Sequence, residues 1–327
     1  MAGQSASAIS TRAINRAGSG HRYWGAFDSQ ARETIESLGR EIYRALYLPP
    51  LGGMPIKSSD VPVAGRGYSA LPFLFDLVNL VNGVVAKDST SSAKATDQFK
   101  EDTGGGETIA YLEAVKRAVE GITTTDSGSL GLHPLVYFYT RGGAFQPIAF
   151  LAVMKVVERL HSAGDLDRFT AARADIERFL MKHKEAFTLI VKRQGSGGRS
   201  RPAIETFLMN VFSGFWGGKT EEEILASLAE DKRFAFIASP QPIRGDDEGE
   251  RKFSTATKTA AFITELINNG VKCGICDALV HRNSMTTDHI VRRADGGGAH
   301  SGNAQIAHPY CNSGYKERLV ARGDAGL

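Results

Sequence analysis

All three cysteines of this 327-residue chain lie beyond residue 270, and their spacing constrains the fold of that region more than any other feature. Cys273 and Cys276 are separated by two residues, and His308 and Cys311 repeat the same spacing. Two such pairs supply the four ligands of a tetrahedral structural zinc site. Because a region of about fifty residues buries too little apolar surface to be stable alone, we predict that Zn²⁺ stabilises it.

The fourth zinc ligand has more than one candidate. The spacing to Cys311 favours His308, but His281 and His300 lie in the same region. An odd number of cysteines with a C-x-x-C pair, in a chain without an apolar secretory signal, favours metal binding over disulfides.

The first 250 residues carry apolar side chains at helical spacing and no long alternation of apolar and polar residues. The predicted helices span about 27–48, 71–86, 107–122, 145–163, 166–192, 202–215, 220–234 and 254–268. The predicted fold class is therefore a mainly α N-terminal region followed by a small zinc-stabilised domain.

Composition and charge suggest three parts. Residues 1–22, rich in Ser, Ala and Gly, are predicted to be a flexible tail. Residues 23–252 are predicted to be a helical domain with a regulatory or DNA-recognition role, and a charged, Pro-containing stretch at 239–252 ends it. Residues 253–327 would be the C-terminal domain with its leading helix.

Membrane insertion is not expected. The longest apolar run, 71–86, is interrupted by Asp76, Asn79 and Asn82 and is too short for a span. With no secretory signal in the first twenty residues, we predict a cytoplasmic protein without a membrane partner. The formal charge of +3 is compatible with a polyanionic partner but does not require one.

Two residues between the cysteine-containing pairs suggest catalysis. On a strand, Asp288 and His289 would point to opposite faces and therefore do different jobs. Asp288 is predicted to hold a Mg²⁺-like ion, and His289 to take a proton from an attacking water as a general base. Asn312 offers a second metal ligand through its carbonyl oxygen, and the Asn303 side chain can tie the hairpin together and orient His289.

These elements, in this order, closely resemble the HNH, or ββα-metal, nuclease family. That family has C-x-x-C, D-H-I, a Gly-Gly turn, an Asn and then C/H-x-x-C-N before a Lys, and the resemblance covers about residues 271–319. It implies an endonuclease that hydrolyses phosphodiester bonds, most commonly in DNA, with Mg²⁺ or Mn²⁺ at Asp288 and Asn312. It also implies that His289 is the base and that Asn303 is the family's middle Asn.

The same resemblance indicates residues that contact nucleic acid. Lys316 is expected near the phosphate backbone. Arg292 stands where relatives often have Pro, and with Arg293 it is predicted to contact the backbone as well. His308 stands where many relatives have Cys, so the zinc site would have three cysteines and one histidine.

The layout, a helical region followed by an HNH segment, is similar to that of bacterial restriction-like and phage-defence nucleases. The alternative is a non-catalytic, zinc-stabilised nucleic-acid-binding module or a regulated scaffold. A homo-oligomer or a regulatory partner that binds the helical domain is compatible with either function. Cleavage specificity and the physiological trigger do not follow from the sequence.

Overall fold

The computed structural model describes residues 5–65, 70–84, 101–195, 197–237 and 252–323. This described part is mostly helical and contains one small two-stranded sheet near the C-terminus. The chain divides into two compact units, Met1–Pro50 with Pro62–Glu120 and Leu51–Val61 with Gly121–Leu327. The predicted fold class is confirmed. The predicted boundary at 239–252 lies outside the described residues except for Lys252, so the domain limits stay predictions.

The first unit contains α1 (Ala6–Asn15), α2 (Ser29–Tyr47), α3 (Ala70–Val81) and α4 (Gly106–Glu120). Helix α2 packs on α1 and α4, and α1 also packs on α3. The Asp28 carboxylate accepts a hydrogen bond from the Ala31 amide at 2.8 Å and so caps the start of α2. The predicted apolar face of α2 is confirmed, and its buried side chains include Ile35, Leu38, Ile42 and Leu46.

Helix α1 corrects the prediction of a flexible tail over residues 1–22. Ile9, Ala13 and Ile14 of this helix are buried. A Cβ on Gly39 of α2 would lie 2.8 Å from the Ala13 carbonyl oxygen, so the two helix backbones approach closely where both residues are small. Ala13, one of the small residues that made this segment look loose, therefore takes part in a close contact between helices.

The second unit contains seven helices in its described part before the C-terminal sheet. These are α5 (Pro134–Tyr137), α6 (Pro147–Ala163), α7 (Leu166–Lys182), α8 (Ala186–Gln194), α9 (Gly197–Trp216), α10 (Glu221–Glu230) and α11 (Thr255–Asn269). Helix α9 packs against α6, α7, α8 and α10. Its buried side chains, which form the centre of this core, include Ile204, Phe207, Leu208 and Val211.

Several predicted helices differ from the structure at an end or within their length. The helix predicted over 71–86 ends at Val81, and the one predicted over 220–234 ends at Glu230. The helix predicted over 166–192 is interrupted after Lys182, where the Ala186 amide donates to the His183 carbonyl in a turn. Helix α9 begins at Gly197, before the predicted start at Pro202, so this proline lies inside the helix and removes one of its backbone hydrogen bonds. The predicted start of α10 is confirmed by a reciprocal capping box between Thr220 and Glu223.

The C-terminal region runs through β1 (Thr286–His289), β2 (Ala304–Ala307), a π-helical turn (Cys311–Tyr315) and α12 (Lys316–Arg322). The two strands are antiparallel, with Asp288 opposite Gln305 and His289 opposite Ala304. A hairpin followed by a short helix is the order expected for this region. No helix in the described part of the chain is long and apolar enough to cross a membrane.

Candidate functional site

The four predicted zinc ligands lie together. One ligand atom from each of Cys273, Cys276, His308 and Cys311 lies within 4.8 Å of the other three. The Nδ1 atom of His308 is 3.4 Å from the Cys276 sulfur and 3.9 Å from the Cys311 sulfur. Because three thiols and one imidazole are a donor set that structural zinc takes in proteins, these residues fit a zinc ion.

The structure selects His308 from the three histidines considered as the fourth ligand. His300 is exposed, and the Nε2 atom of His281 lies 2.9 Å from the Val61 carbonyl oxygen. The Nε2 atom of His308 lies 3.0 Å from the Leu279 carbonyl oxygen. Since a carbonyl only accepts, Nε2 carries the proton and Nδ1 presents its lone pair to the thiols, which is the tautomer that a zinc ligand needs.

Each ligand pair is shaped by a local turn. The Cys273 amide donates to the Ala278 carbonyl, and the Asp277 amide donates to the Cys273 carbonyl, each at 2.9 Å. Asp277 has a φ of 54°, a left-handed conformation that Asp tolerates better than most side chains. In the second pair, the Asn312 amide donates to the His308 carbonyl at 2.9 Å, an α-helical bond that encloses Cys311 in the first turn after β2.

The thiols also influence one another. Hydrogen bonds from the Cys276 and Cys311 thiols hold the pKa of Cys273 below its ordinary value. The hydrogen bonds that Cys311 makes to Cys273 and Cys276 raise the pKa of Cys311. One thiolate therefore forms most readily in this cluster, and a bound cation would favour the thiolate form of all three.

A buried charged network connects the cluster to α7. The Leu279 amide donates to Glu177 Oε2 at 3.2 Å, and the Leu279 carbonyl is the acceptor for His308 Nε2. The other carboxylate oxygen, Oε1, accepts from Arg173 Nε at 2.7 Å and from the Tyr137 hydroxyl at 3.1 Å. Sequence spacing does not indicate that these residues are buried, because Arg and Glu four positions apart on a helix are typical of an exposed ion pair.

The hairpin carries the two residues predicted to perform catalysis. Alternation along β1 places Asp288 and His289 on opposite faces. Asp288 is buried, whereas His289 is half-buried. Among the described residues the His289 imidazole has no hydrogen-bond partner, so its ring nitrogens are available to accept a proton.

The Asp288 carboxylate has two partners on one oxygen. Its Oδ2 atom accepts hydrogen bonds from Gln305 Nε2 and from Lys316 Nζ, each at 2.8 Å. Within the described ranges its Oδ1 atom accepts no hydrogen bond. The Lys316 side chain is only 4% exposed. The contact predicted between Lys316 and a phosphate stays a prediction, and this buried position does not favour it.

Asn312 turns its amide nitrogen towards β1. The Nδ2 atom lies 3.3 Å from Thr286 Oγ1 and 3.2 Å from the Thr287 carbonyl oxygen. Because a carbonyl oxygen only accepts, the amide nitrogen must face the strand and the amide oxygen must face away from it. Thr286 and Asp288 share one face of β1. A carboxylate and an amide oxygen are the hard donors that Mg²⁺ prefers, so these side chains fit its chemistry.

Asn303 fixes the segment that follows His289. Its Oδ1 atom accepts from the Val291 amide at 2.7 Å, and its Nδ2 atom donates to the carbonyls of Val291 at 3.0 Å and Gly298 at 2.9 Å. A Cβ on Gly297 would lie 1.8 Å from the Val291 carbonyl oxygen, so this turn needs glycine. The side chain therefore joins both ends of the loop between the strands.

The two arginines predicted to contact nucleic acid differ in their surroundings. Arg292 donates to Asp295 at 2.6 Å and to Glu317 at 2.7 Å. Arg293 is exposed. Arg293 is thus the better placed of the two to meet a phosphate, and both contacts stay predictions.

Comparison with known families identifies the C-terminal site. Residues 273–318 match the family model described as HNH endonuclease. Neither a curated protein nor a solved structure matches the chain. The resemblance predicted for about residues 271–319 is confirmed, and at the level of this family the segment is of the nuclease type.

Proposed function

We propose that the chain is a metal-dependent HNH endonuclease that hydrolyses phosphodiester bonds in DNA. One observation carries the proposal. Within the segment that matches the family, the hairpin presents an unpartnered imidazole at His289 and, on Asp288, a carboxylate oxygen without a hydrogen-bond partner among the described residues. The Asn312 amide, oriented by two hydrogen bonds to β1, adds a second oxygen.

In this mechanism each side chain has one task. His289 takes the proton from the water that attacks the phosphorus. Asp288 Oδ1 and the Asn312 amide oxygen would hold Mg²⁺ or Mn²⁺, which when bound supplies positive charge beside the leaving 3′ oxygen. Asn303 keeps the segment after His289 in place through its bonds to Val291.

Zinc has a separate, structural part in the proposal. Cys273, Cys276, His308 and Cys311 offer the four ligand atoms of a tetrahedral structural site. Bound zinc would cross-link the turn before β1 to the turn after β2, so coordination bonds would hold the two ends of the hairpin together. The catalytic and structural metals therefore occupy different donor sets, one hard and one soft.

A cleavage assay tests the proposal. The purified, zinc-loaded chain should convert supercoiled plasmid to nicked or linear DNA with Mg²⁺ and lose this activity in EDTA. His289→Ala should reduce the rate by about 10²- to 10⁴-fold, the usual contribution of a general base. His300→Ala, an exposed histidine of the same segment, should cut like the unaltered chain.

The alternative function is a zinc-stabilised module that binds nucleic acid without cutting it. Plasmid binding without Mg²⁺-dependent cleavage would favour this alternative. Intact Asp288, His289 and Asn312 favour catalysis.

The proposal also includes a biological role. We propose that the nuclease acts in the cytoplasm in defence against foreign DNA, and that the helical region or a second copy of the chain controls it. The order of the sequence, a helical region followed by the HNH segment, supports the defence role.

A further inference from the structure

We propose that Gln305 and Lys316 are positioning residues that occupy Oδ2 of Asp288 and leave Oδ1 as its single metal-binding oxygen, so that the site favours Mg²⁺ over Ca²⁺. The inference rests on the proposed function, in which Asp288 is a metal ligand. It adds a structural reason for the choice of ion.

The strand register, a hydrogen bond and a close approach to Gly274 fix the position of the Gln305 side chain. The strand register places it directly opposite Asp288, and its Nε2 atom donates to Oδ2 at 2.8 Å. Its carboxamide lies over Gly274, where an added Cβ would be 2.1 Å from the Gln305 Oε1 atom. The glycine inside the first cysteine pair therefore provides the space in which the amide reaches the carboxylate.

Lys316 approaches the same oxygen from α12. Its ammonium donates to Asp288 Oδ2 at 2.8 Å, to the His289 carbonyl and to the Ile290 carbonyl at 3.2 Å. These three acceptors match the three N–H donors of an ammonium group. Since the side chain is 4% exposed and fully hydrogen-bonded, it holds the carboxylate in one orientation.

The occupied oxygen limits how a cation can bind. With Oδ2 accepting two hydrogen bonds, the Asp288 carboxylate offers one oxygen to an ion. Mg²⁺ demands a compact octahedral shell, keeps several waters and binds through single carboxylate oxygens. Ca²⁺ takes six to eight oxygens and often uses both oxygens of a carboxylate. Blocking Oδ2 therefore weakens the binding of Ca²⁺ more than that of Mg²⁺.

Metal binding without nucleic acid measures this preference. Mn²⁺ is bound to the full, zinc-loaded chain, and its displacement by Mg²⁺ or by Ca²⁺ is followed by electron paramagnetic resonance. Gln305→Leu removes one hydrogen bond from Oδ2 without changing charge. We expect the ratio of Ca²⁺ to Mg²⁺ affinity to rise about tenfold, because Oδ2 regains a lone pair that Ca²⁺ can use.

A second variant tests the other contact. Lys316→Met removes the ammonium hydrogen bond from Oδ2, where that of Gln305 remains, and also removes a positive charge, so both ions should bind more tightly and Ca²⁺ should gain more. Lys258→Met, which removes an exposed lysine on α11, is the matched control and should keep the unaltered ratio. Zinc content and circular dichroism establish that each variant is folded. If Lys316→Met does not fold, Gln305→Leu decides the question.

The outcomes separate the two levels of the proposal. If Asp288→Asn binds Mn²⁺ as tightly as the unaltered chain, the proposed catalytic metal site is wrong. If Asp288→Asn loses Mn²⁺ but Gln305→Leu keeps the unaltered ratio of Ca²⁺ to Mg²⁺ affinity, the positioning role is overturned and the proposed function stands. A raised ratio in Gln305→Leu supports the inference.

Discussion

Replacing Arg173 by Met tests whether the buried network on α7 supports the cysteine–histidine cluster. The Arg173 and Glu177 side chains are 1% and 5% exposed. Without the guanidinium, the donors left to the Glu177 carboxylate among the described residues are the Tyr137 hydroxyl and the Leu279 amide, and the Gly131 carbonyl loses its donor at 3.0 Å. Removing one partner of a buried pair costs about 3–5 kcal/mol, a large share of a typical free energy of unfolding of about 5–15 kcal/mol.

Zinc release during urea unfolding, followed with a chelating dye, reports this loss of stability. The network is connected to the zinc ligand His308 through Leu279. Arg173→Met should release zinc at a clearly lower urea concentration than the unaltered chain. The double variant Arg173→Met/Glu177→Leu leaves no unpaired charge, so it should be more stable than the single variant.

The same helix offers a matched control. Arg178 and Asp175 lie 2.6 Å apart, with side chains that are 66% and 54% exposed. Arg178→Met should cost less than about 1 kcal/mol, as is usual for surface ion pairs. If Arg173→Met released zinc at the same urea concentration as Arg178→Met, the network would not support the cluster and the reasoning would be refuted.

Three further outcomes follow from individual contacts. Cys311→Ser should lower the bound zinc and the unfolding midpoint, and metal analysis with thermal unfolding would show no change if Cys311 were not a ligand. Burial lowers the pKa of His281 to about 4. As pH falls, the unfolded chain therefore binds a proton at this residue before the folded chain does, and about 3 kcal/mol of stability should be lost between about pH 6.5 and 4. His281→Gln should flatten this pH dependence, and an unchanged slope would contradict it. Gly297→Ala should speed hydrogen exchange in the hairpin, because its Cβ would lie 1.8 Å from the Val291 carbonyl oxygen, and unchanged exchange would count against a strained turn.

Short-range spacing predicted the four residues of the cysteine–histidine cluster. In each pair, Cys273 with Cys276 and His308 with Cys311, the two intervening residues form a tight turn that brings both side chains to one ion. This geometry depends only on neighbouring residues. The choice of His308 over His281 and His300 needed the structure, because it depends on the Leu279 carbonyl that orients the ring. The hydrogen-bond partners of Asp288 also became known only from the structure, since Gln305 lies on the paired strand and Lys316 on a later helix.

Packing between distant segments explains the other differences. Helix α1 is rich in small residues, and its close contact with α2 at Ala13 depends on Gly39, which is distant in sequence. The Arg173–Glu177 pair has the spacing of an exposed pair, but it is buried and contacts residues distant in sequence, namely Gly131, Tyr137 and Leu279. Sequence periodicity therefore identified most helices, but it did not show which polar residues the tertiary structure encloses.

Chemical rescue tests the central claim most directly, namely that the imidazole at position 289 accepts the proton of the attacking water. His289→Gly should cleave plasmid slowly with Mg²⁺, and added imidazole should restore cleavage in proportion to the concentration of its neutral form. Imidazole should not accelerate Asp288→Asn, which keeps the base but lacks the metal-binding carboxylate. Cleavage by His289→Gly at the rate of the unaltered chain, without imidazole, would contradict the account.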